Sequence, residues 1–209
     1  MTMQLTVGEW GPPHRSPKRP SPGRPTSDTL SDSLDVEREI IEACQRGDMR
    51  AFEHVYRLHQ QALFGVALRM LGEQEDAEDA VQTTLIRLYR GIGNYRSEAK
   101  LGTYLMRILI NVCYDMLNAR TRRKQLALQP PEPPAQPAGP DLRLQLEEAI
   151  LTLPERMRAC FVLFAVEGVP QREIAETLEI SVGTVKAQIF QAKERLRGLL
   201  GDQAEETES

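Results

Sequence analysis

The segment that decides the fold of this chain runs from Pro170 to Phe190 and reads PQREIAETLEISVGTVKAQIF. Its apolar residues predict two helices joined by a short turn at Ile180, because they recur at the spacing of one helix face on either side of it. Ala175 is small enough to let the second helix cross the first closely, and Ser181 can cap the second helix. The buried stripe of that helix is predicted at Val182, Val185, Ile189, Ala192 and Leu196.

The second of these helices has an outward face suited to DNA. A helix-turn-helix places the N-terminal part of its second helix in the major groove, where side chains contact base edges and phosphates. Gln188 is the candidate for reading a base, and Lys186 and Lys193 are candidates for phosphates. A helical hairpin without a ligand is the alternative. Glu179 departs from the pattern, since such turns often have glycine there and a left-handed backbone at another residue costs about 1 kcal/mol.

The rest of the chain also favours helices. Apolar residues repeat at helical spacing in stretches that end near Gly47, Gly72 and Gly91, and Asp48 can cap the second stretch. A fourth stretch begins after Ser97. No segment alternates apolar and polar residues with the period of a strand over a convincing length. The predicted fold class is all-α, with two small helical domains.

Proline divides the chain, because it disrupts helices and central strands and collects in linkers. Six of the 14 prolines lie in the first 34 residues and six more between positions 125 and 140. We therefore expect a disordered Pro-rich tail over residues 1–33, a helical domain over 34–124, a flexible Pro-rich linker over 125–140, a second helical domain over 141–200 and an acidic tail over 201–209.

Composition excludes several classes of protein. The chain has 209 residues, of which 41% are hydrophobic and 27% charged, as in ordinary soluble proteins. No stretch approaches the roughly 18 apolar residues of a membrane span, and the N-terminus lacks the apolar core of a secretory signal, so we expect a cytoplasmic protein without membrane insertion. Cys44, Cys113 and Cys160 are not at zinc-ligand spacing to each other or to a histidine. We expect them to be buried and expect no metal.

The net charge of −4 hides a gradient along the first helical domain. Residues 35–85 carry eleven acidic and five basic side chains, whereas residues 86–124 carry nine basic and two acidic ones. The basic part contains four tyrosines and suits a nucleic-acid strand, since cations neutralise phosphates and rings stack on exposed bases. A solvated helix face with core aromatics is the alternative. The acidic part should repel DNA and predicts a basic protein partner.

Further motifs accompany the helix-turn-helix. Residues 76–85 read DAEDAVQTTL and residues 95–115 read YRSEAKLGTYLMRILINVCYD, while LPERMR stands at 153–158, EIA at 173–175 and GTVK at 183–186. The first two segments closely resemble the second region, and the others the fourth region, of bacterial RNA polymerase sigma factors of the extracytoplasmic function (ECF) group. The resemblance covers about residues 35–200. It implies a dissociable promoter-specificity subunit that binds core polymerase, recognises −35 and −10 elements and promotes strand opening.

The resemblance also implies three sets of site residues. The set that holds the clamp helices of the polymerase's largest subunit is Asp76, Asp79, Gln82 and Leu85. The set that recognises and melts the −10 element is Tyr95, Arg96, Lys100, Thr103, Tyr104, Arg107, Asn111, Tyr114, Arg120, Arg122 and Arg123. The set that binds the −35 element as duplex is Arg172, Ser181, Thr184, Lys186, Gln188, Gln191 and Lys193. A solvated helix face remains the alternative for the first set, and core packing for individual tyrosines of the second.

Three positions depart from the family's usual residues. Tyr104 stands where members often have Trp, which leaves a smaller stacking surface, and Gln188 and Gln191 stand near positions where many members have Arg. The promoter preferences of the family are therefore not expected to transfer directly.

The resemblance further implies regulation by an anti-sigma protein, soluble or in the membrane, and a free chain that is monomeric. We expect no catalytic residue and no cofactor, because the sequence has no P-loop, HExxH, CxxC or Ser/His/Asp pattern. Two alternatives stay open: a stand-alone helix-turn-helix regulator that binds duplex operators without polymerase, and an enzyme with a DNA-binding appendage.

Overall fold

The computed structural model describes residues 27–95, 100–126 and 142–206. Within those ranges the chain forms eight α-helices and no strand, which confirms the all-α prediction. The helices are α1 (Ser27–Gln45), α2 (Met49–Leu71), α3 (Gln74–Gly91), α4 (Leu101–Leu126), α5 (Leu142–Thr152), α6 (Glu155–Phe161), α7 (Gln171–Leu178) and α8 (Val182–Glu206). A 3-10 turn at Ile92–Asn94 follows α3, and a π-helical turn at Val162–Val166 follows α6.

Local chemistry explains where α2 begins and ends. The carboxylate of Asp48 accepts the backbone N–H of Arg50 at 2.9 Å, as the predicted N-cap requires. At the other end Gly72 has a φ of 87°, a left-handed conformation that glycine adopts without strain. Its N–H donates to the carbonyl of Leu68 at 2.8 Å and closes the last turn.

Two helices extend beyond the boundaries expected from proline and charge. Helix α1 begins at Ser27, within the segment assigned to the tail, and Pro25 is the last proline before it. Helix α8 continues to Glu206, within the segment assigned to the acidic tail. The linker expected over residues 125–140 falls outside the described residues beyond the end of α4.

Helices α2, α3 and α4 pack around one apolar core. Leu63 and Met70 of α2, Leu88 of α3 and Leu105 and Leu109 of α4 are almost wholly buried there. The described residues from Glu37 onward belong to one compact unit, and α5 to α8 extend the same core with Ile150, Leu163, Ile174 and Val185.

The three cysteines are buried, as the sequence predicted. Burial raises the pKa of the Cys113 thiol to about 12 and that of Cys160 to about 11. These thiols therefore stay protonated at neutral pH and behave as small apolar side chains. Among the described residues no cluster of His, Cys, Asp and Glu can hold a metal ion. The helices in those ranges include none that is long and apolar enough to cross a membrane.

A buried arginine joins α2 to the helices after the linker. Arg158 is 8% exposed and donates to the backbone oxygens of Met70 at 2.5 Å, Leu153 at 3.0 Å and Leu151. Met70 lies at the end of α2 and Leu151 near the end of α5, where helix carbonyls lack partners within their own helix. Burial lowers the pKa of the Arg158 guanidinium, although Glu155 and Tyr114 partly offset this.

Candidate polymerase and nucleic-acid interfaces

The helix-turn-helix is formed by α7 and α8, and its turn has the strained backbone that the sequence predicted. Glu179 has φ 54° and ψ 44° and is the one residue other than glycine with a positive φ among those described. The hydroxyl of Ser181 accepts the N–H of Thr184 at 3.0 Å and so caps α8, as predicted. Ile174 and Ala175 are buried against α8, so the crossing of the two helices follows the predicted pattern.

The outward side of α8 presents a mixed polar and aromatic surface, which we call the α8 face: Thr184, Lys186, Ala187, Gln188, Phe190 and Gln191. Gln188 is half-buried and the other members are exposed. Phe190 is 66% exposed, and sequence reasoning missed it, although it lies outside the predicted buried stripe. The predicted buried stripe of α8 is confirmed at Val185, Ile189, Ala192 and Leu196. The prediction was wrong for Val182, which is 37% exposed because it lies in the first turn, where α7 does not cover it.

Two members of the predicted −35 set lie beside the α8 face. Arg172 is exposed in the first turn of α7. The ammonium of Lys193 lies 5.1 Å from the centre of the Phe164 ring, in a cation–π contact. Lys193 therefore has a partner within the protein, whereas Lys186 makes no hydrogen bond, ion pair or ring contact within the described part of the chain.

The predicted −10 residues lie along one side of α4. These residues form a continuous line on a helix, which we call the α4 stripe, because each lies three or four residues from another member: Lys100, Thr103, Tyr104, Arg107, Asn111 and Tyr114. Lys100 and Asn111 are exposed, and the other members are half-buried. Arg96, predicted in the same set, lies outside the described residues.

Aromatic residues of the predicted −10 set differ in their surroundings. The rings of Tyr95 and Tyr104 lie 4.8 Å apart at an interplanar angle of 39°, a tilted pair at the start of the stripe. Tyr95, Tyr104 and Tyr114 are all half-buried and pack against the core. Burial raises the pKa of the Tyr114 hydroxyl to about 12 and also raises that of Tyr95. The choice between core packing and DNA contact therefore stays a prediction for each tyrosine.

Two cations of the α4 stripe are paired with the helix-turn-helix. Arg107 donates to the backbone oxygen of Glu176 at 2.7 Å and lies 3.2 Å from the carboxylate of Glu179. The ammonium of Lys100 lies 3.9 Å from the carboxylate of Glu173. Because Glu173 and Glu176 belong to α7 and Glu179 directly follows it, α7 and its turn lie over the stripe in this structure.

The acidic helix α3 has an exposed side that is partly apolar. Asp79 and Gln82 are exposed, and Ile86 and Tyr89, 51% and 54% exposed, continue the same side at helical spacing. We call these four residues the α3 face. Leu85, also in the predicted polymerase-binding set, is half-buried against the core and lies about a quarter-turn away from the line through Gln82 and Ile86, so its predicted role stays a prediction. Ile86 lies seven residues, or about two helical turns, after Asp79, so this spacing in the sequence places it on the same side of α3.

Asp76 and Arg120 come from two different predicted sets and are paired with each other. The Arg120 guanidinium lies 2.9 Å from the Asp76 carboxylate and donates at 3.1 Å to the carbonyl of Leu71 at the end of α2. The pair fastens the start of α3 to α4 and lines a small cavity of about 210 Å³. Arg122 and Arg123 are exposed near the end of α4, with Arg123 Nε 3.4 Å from the carbonyl of Ala119.

Family models match both halves of this arrangement. The model of sigma-70 region 2 matches residues 55–123, which span the α3 face and the α4 stripe. The model of sigma-70, region 4 matches residues 143–196, which include the helix-turn-helix.

Two solved structures share the fold. The sigma factor RpoE of Bartonella quintana, in complex with the anti-sigma factor NepR, has a TM-score of 0.61 at 26% identity and covers 72% of this chain and 96% of its own. CnrH, in complex with the cytosolic domain of CnrY, has a TM-score of 0.63 at 25% identity and covers 79% of this chain and 97% of its own.

Relatives match over most of their length. RNA polymerase sigma-H factor of Pseudomonas aeruginosa is 31% identical over 176 residues, which are 77% of this chain and 91% of that protein. ECF RNA polymerase sigma factor SigM of Mycobacterium tuberculosis is 31% identical over 164 residues, 78% of this chain and 84% of that protein. The chain therefore belongs to the extracytoplasmic function group of RNA polymerase sigma factors and is a promoter-recognising subunit of that enzyme.

Proposed function

We propose that this sigma factor divides promoter recognition between two DNA-binding surfaces that sit on separate domains. The α8 face, with Arg172 and the capping residue Ser181, binds the −35 element as duplex, and the α4 stripe captures the −10 element as a single strand. The observation that carries the proposal is the pairing of an exposed helix-turn-helix face with a cationic, tyrosine-bearing helix in one chain.

Strand capture explains how a protein without an energy source opens DNA. Extruding a base costs a few kcal/mol, and a surface that binds the extruded base only in single-stranded form returns that energy. Tyr95 and Tyr104 supply half-buried rings, and Asn111 supplies an exposed amide further along the stripe. No catalytic residue and no cofactor are needed for this step, so we propose a transcription factor and not an enzyme.

The contacts of Arg107 and Lys100 set a condition on −10 binding. A phosphate that approaches either cation competes with Glu179, Glu176 or Glu173 of α7. The −10 strand therefore uses these cations only when α7 moves off the stripe. We propose that assembly with core polymerase separates the two domains along the linker, so that the α4 stripe and the α8 face bind their elements together.

The α3 face is the proposed contact with core polymerase. Asp79 and Gln82 are exposed beside Ile86 and Tyr89, so the surface combines acidic charge with apolar area. Such a surface suits the basic clamp helices of the polymerase's largest subunit and disfavours DNA. Asp76 helps to hold this face in place, because its ion pair with Arg120 fixes the start of α3 against α4.

We also propose an anti-sigma partner and a cytoplasmic location. Both solved structures described above are complexes: RpoE with the anti-sigma factor NepR, and CnrH with the cytosolic domain of CnrY. A regulator of this kind that covered the α3 face or the α4 stripe would block polymerase or promoter, and one anchored in a membrane would hold the chain there. Free of such a partner, the chain is proposed to be a monomer.

In vitro transcription tests the proposal. Core polymerase is supplied with genomic DNA of the host, with and without the full-length protein, and transcript starts are mapped. We expect new starts that share a two-part upstream motif, and substitution of either part abolishes them. If no starts form and the protein does not co-purify with core, while the protein alone protects a duplex operator, it is a stand-alone regulator instead.

A further inference from the structure

The C-terminal half of α1 holds both ends of the connection between α3 and α4. The side-chain amide of Gln45 donates to the backbone oxygens of Ile92 and Tyr95, each at 3.1 Å. The carboxylate of Glu37 accepts the backbone N–H of Leu101 at 2.5 Å. These bonds join positions 47 to 64 residues apart in the chain, so they are tertiary contacts and not local turns.

The Glu37 contact completes the start of α4. Lys100 stands at the N-cap, where its carbonyl accepts the N–H of Tyr104 at 3.0 Å, but its side chain has no acceptor to offer the free N–H groups of the first turn. Glu37 supplies that acceptor from another helix. Its negative charge also lies at the positive end of the α4 dipole, where a carboxylate is stabilising.

The Gln45 contact fixes the other end. A glutamine side-chain nitrogen carries two hydrogens, and both find acceptors here, one in the 3-10 turn and one at Tyr95, directly after it. The N–H of Tyr95 itself donates to Ile92 at 3.1 Å. The backbone of Tyr95 is thus held by its own turn and by α1.

What the two contacts position is the tyrosine pair. Tyr95 follows the Gln45 contact and Tyr104 lies in the first turn after the Glu37 contact, and their rings meet at 4.8 Å. Burial raises the pKa of the Tyr95 hydroxyl, and the Glu37 carboxylate adds to the rise, as expected if Glu37 lies beside this pair. Rings that stack on extruded bases bind best when their geometry is already set before the base arrives.

We infer that Gln45 and Glu37 of α1 are positioning residues for the −10 element, which hold the Tyr95 and Tyr104 rings in the arrangement that captures unpaired bases. Both lie outside residues 55–123, the part matched by the sigma-70 region 2 model. The inference rests on the proposed −10 role of the α4 stripe. It adds that a helix with no DNA contact of its own sets the selectivity of that stripe.

The test uses full-length protein assembled with core polymerase, on a promoter mapped by the transcription experiment above. Permanganate reactivity of −10 thymines measures strand opening, and competition between this promoter and copies with single −10 substitutions measures base discrimination. Gln45→Met removes the amide that donates to Ile92 and Tyr95, and Glu37→Met removes the carboxylate that accepts the N–H of Leu101. Glu37→Gln keeps an acceptor for Leu101, and Glu39→Met, at an exposed position of the same helix, is the matched control.

We expect Glu37→Met, which removes one hydrogen bond, to lower both the opening signal and the discrimination between −10 sequences by about 3- to 10-fold. Gln45→Met removes two hydrogen bonds and should lower both by at least as much. Glu37→Gln should recover part of the loss, and Glu39→Met should match wild type. Affinity for core polymerase and for −35 duplex should not change. A purely structural role would not alter discrimination while leaving these two affinities intact.

The inference is overturned if both Met variants discriminate between −10 sequences as well as the wild type does. It is also overturned if strand opening falls only in proportion to a loss of affinity for core polymerase. If Gln45→Met does not fold, Gln45→Glu replaces it in the test. Gln45→Glu keeps the shape of the side chain but places a carboxylate against two carbonyl oxygens, so the inference requires that this variant also lose discrimination between −10 sequences. If wild-type holoenzyme opens promoters without regard to the −10 sequence, the proposed function fails, independently of α1.

Discussion

The α8 face and the α4 stripe are both predicted to bind DNA, yet their side chains differ in the contacts they make within the free chain. On the α8 face, Lys186, Gln188 and Gln191 have no partner among the residues that the structure describes. On the α4 stripe, Lys100 and Arg107 are paired with α7, and Tyr104 packs against Tyr95. A surface that reads an intact duplex is ready without rearrangement, whereas one that captures unpaired bases exchanges internal contacts for DNA contacts.

The largest effect is expected at the buried arginine that joins α2, which precedes the α4 stripe in sequence, to the helices that precede the α8 face. Arg158→Met removes a buried donor from the carbonyls of Met70, Leu151 and Leu153. Buried acceptors left without partners cost about 1–3 kcal/mol each, so we expect the free energy of unfolding to fall by about 3 kcal/mol or more. Urea denaturation measures it. Arg156→Met, at an exposed position of the same helix, should change it by less than about 0.5 kcal/mol.

The next effect separates two tyrosines of one stripe. Tyr104→Ala removes a half-buried ring and should weaken binding of holoenzyme to −10 single strand by about 1–3 kcal/mol. Tyr114→Phe should leave that affinity unchanged at neutral pH, because the ring stays in place and only its hydroxyl is removed. Anisotropy of a labelled strand measures both. Equal losses in the two variants would mean that Tyr114 also contacts DNA.

Tyr114 also predicts a pH dependence of stability. Its folded-state pKa of about 12 lies above the ordinary value of 10. A group whose pKa is raised by folding contributes stability that is fully present below pH 10 and is lost between about pH 10 and 12, as the unfolded chain ionises first. The rise in the Tyr114 pKa from 10 to about 12 corresponds to about 3 kcal/mol of stability at most. Alkaline denaturation should therefore be less steep in Tyr114→Phe, although the buried thiols titrate nearby.

A smaller effect is expected on the α8 face. Lys186→Ala should weaken binding of all −35 duplexes alike and lower the salt slope of binding by about one. Gln188→Ala should instead relax the preference at one base pair. Titration of duplexes at several salt concentrations distinguishes the two. If Lys186→Ala changed base preference and left the slope unchanged, its assignment to a phosphate would be wrong.

The smallest effect concerns the turn of the helix-turn-helix. Glu179→Gly relieves a left-handed backbone and removes the carboxylate beside Arg107. The ion pair is largely exposed, so its loss should tighten binding of the free protein to −10 single strand by no more than about fivefold. Stability should rise by up to about 1 kcal/mol. Glu176→Gln is the control, since Arg107 contacts only the backbone oxygen of that residue.

Features fixed by near neighbours could be predicted from the sequence. Asp48, Ser181 and Glu179 follow from rules that act over a few residues, and each has the predicted geometry. The pairs Arg107–Glu179 and Asp76–Arg120 could not be predicted, because they join residues 72 and 44 positions apart whose approach depends on helix packing. The same holds for the contact of Glu37 with Leu101.

The bond from Arg158 to Met70 has a consequence for synthesis on the ribosome. The donor follows its acceptor by 88 residues. At roughly 5–20 residues per second, the end of α2 emerges about 4–18 s before the guanidinium that completes it. During that interval nascent α2, α3 and α4 have only their own packing to sustain them. A truncated chain that stops before Arg158 should consequently be cleaved by protease near Met70 more readily than the finished protein.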